Sequence, residues 1–96
     1  MITRIFRVRV PEDLKEEFET LFQSTSLNAF AGASGFISAQ IGRPTLGTAN
    51  EYVMISVWEN IESLKCFTGE NWNEAHIPSG MERFVSEYWV HHYSSF

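Results

Sequence analysis

Five side chains in this sequence have the types needed to hold a flat, apolar ligand and to act on it. Trp58, Phe67 and Trp72 could form aromatic walls. His76 could accept a proton or a hydrogen bond from the ligand, because the ordinary pKa of histidine lies at about 6.5. Arg7 could stabilise the negative charge left on the ligand. We therefore predict a site for an aromatic ring, with His76 and Trp72 as catalytic candidates and Trp58, Phe67 and Arg7 as substrate-binding candidates.

Each of these residues also has an explanation that involves no chemistry. His76 lies in a short polar segment and could simply be a surface residue. Trp72 could pack on a sheet whether or not a ligand binds, and Trp58 and Phe67 could be core residues. Arg7 could lie on a solvated or interface face of its strand. The sequence alone leaves these alternatives open.

Other classes of site are poorly matched. His91 and His92 are adjacent in a predicted strand, so they point to opposite faces and cannot bind one metal ion from a regular strand. No Cys/His cluster has zinc spacing, and GRPTLG at Gly42–Gly47 lacks the lysine and the strand–loop–helix order of a phosphate loop. Cys66 has no neighbour that would activate it and is expected to be a packed thiol. We predict no metal site.

Hydrophobic periodicity predicts the elements that would position these residues. Alternation with period two over Ile2–Val10 predicts a strand, which Pro11 ends. Apolar residues at helical spacing predict an amphipathic helix from about Glu12 to Leu27. The other predicted elements are strands at Gly35–Ile41, Glu51–Glu59 and Phe84–Tyr93, a short helix at Asn60–Phe67, and a further turn or two of helix between Asn71 and Ile77.

The resulting order, βαββαβ, predicts an α+β ferredoxin-like fold in which one antiparallel-rich sheet carries both helices on one face. Both faces of the third strand are nevertheless apolar, since Val53, Ile55 and Val57 oppose Tyr52, Met54 and Trp58. A sheet with two apolar faces and helices for only one needs a second cover. We therefore expect a homodimer in which two sheets pack together. Alternation does not show which face the helices cover.

Composition narrows the class of protein. The chain has 96 residues, enough for one domain, and a formal net charge of −5. No segment concentrates Lys or Arg, so no nucleic-acid or anionic membrane partner is expected. The lone Cys66 favours a reducing compartment. No apolar run reaches the ~18 residues of a membrane helix, and no signal-peptide hydrophobic region precedes Arg4 and Arg7. We expect one soluble, cytoplasmic domain over residues 1–96.

Several fragments follow one another in a recognisable order. They are GF at Gly35–Phe36, VWEN at Val57–Asn60 with the helix that follows to Phe67, NWNEAHIP at Asn71–Pro78 and VHHY at Val90–Tyr93. Their order and spacing resemble the antibiotic biosynthesis monooxygenase family. The resemblance implies a small dimeric α/β barrel with a ligand cavity between the sheet and its helices. Some members oxidise phenols or quinols with molecular oxygen and without metal or flavin, some degrade haem, and others have no established substrate.

The haem-degrading branch uses an Asn, a Trp and a His. In that register His76 matches the haem-ligating His, the Asn falls on Phe6, and the Trp falls nearest Phe67 unless Trp72 replaces it by a shift in register. The resemblance therefore favours a cofactor-independent monooxygenase acting on a hydroxylated aromatic ligand or quinol. A haem-binding or haem-degrading protein and a non-catalytic dimer that binds a small aromatic ligand remain as alternatives.

Overall fold

A computed structural model of the chain describes residues 1–30, 32–74 and 80–96, without the side chains of Ser26 and Leu27. It contains four strands, two α-helices and two short 3-10 turns. The strands are β1 (Ile2–Arg9), β2 (Phe36–Gly42), β3 (Glu51–Trp58) and β4 (Glu87–Ser94), the helices are α1 (Lys15–Asn28) and α2 (Ile61–Thr68), and the 3-10 turns are Glu12–Leu14 and Glu82–Phe84.

The four strands form one sheet in the order β2-β3-β1-β4, and all three pairings are antiparallel. The predicted ferredoxin-like βαββαβ fold is therefore confirmed. β1 lies at the centre of the sheet, between β3 and β4. This position matters for function, because β1 presents every second side chain to the helices and the others to the opposite face.

Most elements lie within one residue of their predicted bounds, and three differ more clearly. The first helix opens with a 3-10 turn, in which the Leu14 amide donates to the Pro11 carbonyl at 3.0 Å. The last strand begins at Glu87 instead of Phe84, because Phe84 is taken into a 3-10 turn. Residues 71–74 form a turn and a bend instead of the predicted helix, and residues 75–77 of that prediction lie outside the described residues.

Helices cover only one face of the sheet. On β1 and β3 the covered face carries Phe6, Val8, Tyr52 and Trp58, all buried. The helix-free face also carries large apolar side chains, as the sequence predicts. Its apolar side chains are Ile5, Val53, Ile55, Val57, Trp89 and Tyr93.

Two groups of buried side chains hold the helices on this face. One packs α1 onto β1 and β3 through Phe18, Phe22 and Tyr52. The other holds α2 through Trp58 and Leu64, which are both fully buried. Within the described residues, no helix is long and apolar enough to span a membrane.

The start of α2 is fixed by its cap and by one close approach. Asn60 caps the helix, since its Oδ1 accepts from the Ser63 amide at 2.9 Å. Gly35, just before β2, has φ +78°, and a Cβ there would lie 2.0 Å from the Ser63 hydroxyl oxygen. Glycine is therefore required where the chain enters β2 beside α2.

Candidate active-site cavity

A cavity of about 510 Å³ lies between the covered face of the sheet and the helices. Its walls come from β1, β3, α1 and the end of α2, together with the segments that follow α1 and precede β4. This is the location that the sequence resemblance implies. The lining residues are Arg4, Phe6, Val8, Phe18, Phe22, Thr25, Ala29, Phe30, Met54, Phe67, Thr68, Met81 and Val85.

The walls of this cavity are mostly aromatic and aliphatic. Phe30 stacks on Phe67 with ring centroids 5.2 Å apart, and Phe18 stacks on Phe22 at 4.9 Å. The Thr68 hydroxyl is already committed, because it donates to the Leu64 carbonyl at 2.9 Å. Such walls favour a flat apolar ring by burying its surface and by offering aromatic contacts.

Arg4 is the only charged residue among the described residues that line the cavity. It lies on the covered face of β1, and only 6% of its surface is exposed. Its Nη1 donates to the Trp72 carbonyl at 2.5 Å, and its Nη2 donates to the Glu74 carbonyl at 3.3 Å. Burial lowers the pKa of this guanidinium, yet an arginine stays protonated in proteins. The cavity therefore has one cationic end.

His92 holds the same guanidinium from the neighbouring strand β4. Its Nε2 lies 3.0 Å from Nη1 of Arg4, and because arginine can only donate, Nε2 accepts. The ring is then neutral, with its proton on Nδ1. Burial lowers the pKa of His92 below its ordinary value, and the charges of Arg4 and His91 lower it further. Trp72 packs edge-on against this ring at 4.9 Å.

The predicted site residues fall in different places. Phe67 lines the cavity. Trp58 is fully buried behind that wall, with its ring centroid 5.0 Å from that of Phe67. Trp72 lies at the cationic end, where its carbonyl binds Arg4. His76 lies outside the described residues.

Two expectations need correction. Arg7 pairs with Val53 and Trp89 on the helix-free face, so the structure does not bring its side chain to the cavity. Cys66 is exposed instead of being a packed thiol, because it lies on the outer side of the short helix α2.

Sequence reasoning missed Arg4 and His92, the two polar side chains that meet at the end of the cavity. The signal for Arg4 was available: it shares the period-two face of Phe6 and Val8, where every other residue is apolar. A lone charge on an apolar face of a strand marks either an edge or a functional group. His92 shares the corresponding face of β4 with Val90.

The sequence profile of the antibiotic biosynthesis monooxygenase family matches residues 1–75. This chain belongs to that family. A sequence comparison with functionally curated proteins finds no significant relative. Its membership therefore rests on the profile match, which covers β1 to the turn after α2 and so includes Arg4, Phe67 and Trp72.

Solved structures of related fold cover nearly the whole of this family member. MhuD from Mycobacterium tuberculosis, a heme-degrader with two hemes in its active site, is 18% identical, with a TM-score of 0.75 and coverage of 99% of this chain and 95% of that one. SnoaB from Streptomyces nogalater, a cofactor-independent oxygenase, is 19% identical, with a TM-score of 0.71 and coverage of 98% and 91%. A conserved protein from Methanosarcina mazei is 18% identical, with a TM-score of 0.73 and coverage of 96% and 89%. These likenesses establish the fold.

The described walls of the cavity can be tested for their fit to haem. Haem iron is most often held by an imidazole or a thiolate. The described lining residues offer neither of these and supply only the thioethers of Met54 and Met81. His76, the ligand that the resemblance implies, lies outside the described residues. The described walls thus do not supply a haem site of the implied kind.

Proposed function

We propose that this family member is a cofactor-independent monooxygenase that oxidises a hydroxylated aromatic compound, a phenol or quinol, with molecular oxygen. One observation carries the proposal: an aromatic-walled cavity of about 510 Å³ contains a single described cation, the buried Arg4. The apolar walls bind the ring, and the cation favours the anionic form of its hydroxyl group. The similarity of fold to SnoaB supports the same reading.

The cation acts on the first step, the loss of a proton from the ligand. A free phenol has a pKa of about 10, so little phenolate exists at neutral pH. A positive charge within hydrogen-bonding distance lowers that pKa, and the effect is larger where water is excluded. Arg4 already holds two backbone carbonyls and His92, so it is fixed before the ligand arrives. A preorganised charge of this kind stabilises an anion without further rearrangement.

The phenolate then supplies the electrons that a cofactor would otherwise provide. It transfers one electron to molecular oxygen, which gives a ligand radical and superoxide. The two combine at a ring carbon to form a hydroperoxide, and loss of water leaves a new carbonyl group. One oxygen atom ends in the product and the other in water, so a phenol becomes a quinone with no outside reductant. Enclosure of the ring shields the radical pair from water.

The remaining site residues stay as proposals. His76 is the proposed proton acceptor. Trp72 is proposed to act with it at the cationic end, where its carbonyl binds Arg4. Phe67 and Trp58 are proposed to form and support the aromatic wall, since Phe67 faces the cavity and Trp58 packs behind it.

The unit that carries out this reaction is proposed to be a homodimer joined through the helix-free face. On that face Ile55 of β3 lies beside Ile5 of β1, and Val53 and Val57 flank it along β3. One end of the face is charged, because Arg9 lies 5.3 Å above the Trp89 ring and pairs with Glu87. An apolar centre with a polar rim is typical of protein interfaces.

Oxygen consumption with a panel of phenols and quinols tests the proposed reaction. We expect turnover above buffer, with heavy-isotope oxygen entering the product. Arg4→Gln should lower kcat/KM by about 100-fold, the loss typical of removing one preorganised donor to a developing anion. Arg43→Gln is the matched control, because Arg43 is exposed in the β2–β3 connection and does not line the cavity.

Two outcomes would contradict the proposal, and each points to a different function. Hemin that binds with a Soret shift abolished by His76→Ala, together with no turnover of free phenols, would indicate a haem-binding or haem-degrading protein. An aromatic ligand that binds tightly and is never converted would indicate a non-catalytic binding dimer. Equal activity of Arg4→Gln and the unaltered chain would remove the role of the cation.

A further inference from the structure

The hydrogen bonds of Arg4 use only part of its guanidinium. An arginine has five N–H donors. Both donors on Nη1 are engaged, one by the Trp72 carbonyl and one by Nε2 of His92, and one donor on Nη2 is engaged by the Glu74 carbonyl. The Nε donor and the second Nη2 donor have no partner among the residues that the structure describes. In a planar guanidinium, the Nε donor and one of the Nη2 donors lie on one edge and point in parallel.

The charge of Arg4 is likewise unmatched within the described part of the chain. None of the ion pairs found there includes Arg4. Its described partners are two carbonyls and a neutral imidazole, which carry no negative charge. A buried charge without an opposite charge is costly, so an anionic group at this place would be stabilised.

From these observations we propose that the ligand of the cavity carries a carboxylate on its aromatic ring, and that Arg4 binds this carboxylate through its Nε–Nη2 edge. Two parallel N–H donors match the two oxygens of a carboxylate, which is the arrangement that arginine favours. A carboxylate with its ordinary pKa of about 4 is already ionised at neutral pH, whereas a phenol with a pKa of about 10 is not. The carboxylate therefore matches the charge of Arg4 before any chemistry takes place.

The rest of the cavity limits what this carboxylate is attached to. The walls contributed by Phe22, Phe30 and Phe67 suit a ring better than a flexible chain, because a ring loses less conformational freedom on binding. Resting on the proposed function, the same ring carries the hydroxyl group that reacts. The substrate class is thus an aromatic hydroxy acid.

Calorimetric titration under anaerobic conditions tests this class by binding alone. The probes are ortho-hydroxynaphthoate, the corresponding naphthol without the carboxylate, and decanoate, which has a carboxylate without a ring. We expect the hydroxynaphthoate to bind at least about 10-fold more tightly than either of the others at low salt, since a charged bidentate pair and ring burial each contribute that much. Equal affinity for the naphthol or for decanoate would overturn the proposal.

Variants at Arg4 locate the carboxylate. Arg4→Gln should remove the preference for hydroxynaphthoate over naphthol, and Arg4→Lys, which keeps the charge but not the two-donor edge, should retain only part of it. Arg43→Gln should retain all of it. An unchanged preference in Arg4→Gln would overturn the proposal. If Arg4→Gln does not fold by circular dichroism, the three probes on the unaltered chain and on Arg4→Lys still decide the question.

This experiment separates the ligand class from the reaction. Tight binding of hydroxynaphthoate without oxygen consumption in air would support the carboxylate and contradict the monooxygenase. Oxidation of the naphthol with no preference for the acid would support the monooxygenase and contradict the carboxylate.

Discussion

Arg4 and Arg7 lie three residues apart on one strand, and the sheet separates them completely. Arg4 lies on the face that the helices cover, is almost fully buried, and donates to two backbone carbonyls and to His92. Arg7 lies on the helix-free face between Val53 and Trp89, and no side-chain hydrogen bond of Arg7 is found in the described part of the chain. Two arginines on one strand thus have different surroundings: Arg4 is enclosed by the helices, and Arg7 lies on the face that no helix covers.

This difference shows how the fold turns an ordinary residue type into a candidate site. The covered face encloses an apolar cavity, where water is scarce and a charge acts strongly on its neighbours. The helix-free face encloses nothing in a single chain and becomes buried only if a second copy covers it. We therefore propose that chemistry takes place on the covered face and self-association on the other, and four further experiments test that division.

Removing a large aromatic side chain from the covered face should give the largest effect. Trp58 is fully buried against Phe30, Phe36 and Phe67. Trp58→Ala leaves a cavity and should lower the free energy of unfolding by about 3–5 kcal/mol in urea titrations. Trp89→Ala, the same change on the helix-free face, should lower it clearly less at concentrations too low for self-association. Equal losses would show that the two faces do not differ in the single chain.

A charge placed at the centre of the helix-free face should separate the two copies. Ile55→Asp would bury a carboxylate without a partner in the proposed interface, and should weaken the dimer by about 30-fold or more. Sedimentation equilibrium measures the effect, with Leu46→Asp in the exposed β2–β3 loop as the control. A circular dichroism spectrum like that of the unaltered chain would show that the single chain still folds. If the unaltered chain is already monomeric, the dimer proposal fails.

A single hydroxyl group provides a finer comparison of the two faces. The Tyr52 hydroxyl donates to Oε2 of Glu19 at 2.6 Å and ties β3 to α1. Tyr52→Phe should lower the free energy of unfolding by about 1–2 kcal/mol, because it leaves that carboxylate without its donor. Tyr93→Phe on the helix-free face should change it by less than about 0.5 kcal/mol, since Tyr93 is 53% exposed. Thermal unfolding of both variants tests this, and a larger loss in Tyr93→Phe would contradict the division.

Much of this division could be predicted from the sequence, because period two fixes which residues share a face. Alternation correctly separates Tyr52, Met54 and Trp58 from Val53, Ile55 and Val57. It cannot show which set the helices cover, since both sets are apolar. That choice depends on how α1 and α2 pack after the chain has returned to the sheet, and local pattern contains no information on it.

The candidate site was harder to predict for the same physical reason. Arg4 is held by Trp72 and Glu74, which are separated from it by 68 and 70 residues. No local pattern encodes contacts of that range. Phe67 could be predicted as a wall residue because it shares the apolar side of α2 with Leu64. Arg7 could be proposed for the site only as long as the covered face was unknown.

The smallest effect expected is a dependence of stability on pH that arises on the covered face. The pKa of His92 is lowered in the folded chain, mainly by burial and then by the charge of Arg4, whereas in the unfolded chain it is about 6.5. Between the lowered pKa and about 6.5, the unfolded chain binds a proton at this histidine that the folded chain does not bind. The free energy of unfolding therefore falls as the pH falls through that window, and the contribution of His92 stays level above it. The glutamine of His92→Gln can still accept a hydrogen bond from Arg4 but does not titrate. The free energy of unfolding of this variant, measured by urea titration across the same pH range, should therefore not show that slope. His91→Gln on the helix-free face removes only the smallest of the three causes of the lowered pKa of His92 and leaves the Arg4–His92 contact in place, so it should keep most of the slope. Equal slopes in His92→Gln and the unaltered chain would show that this contact does not depend on a neutral ring.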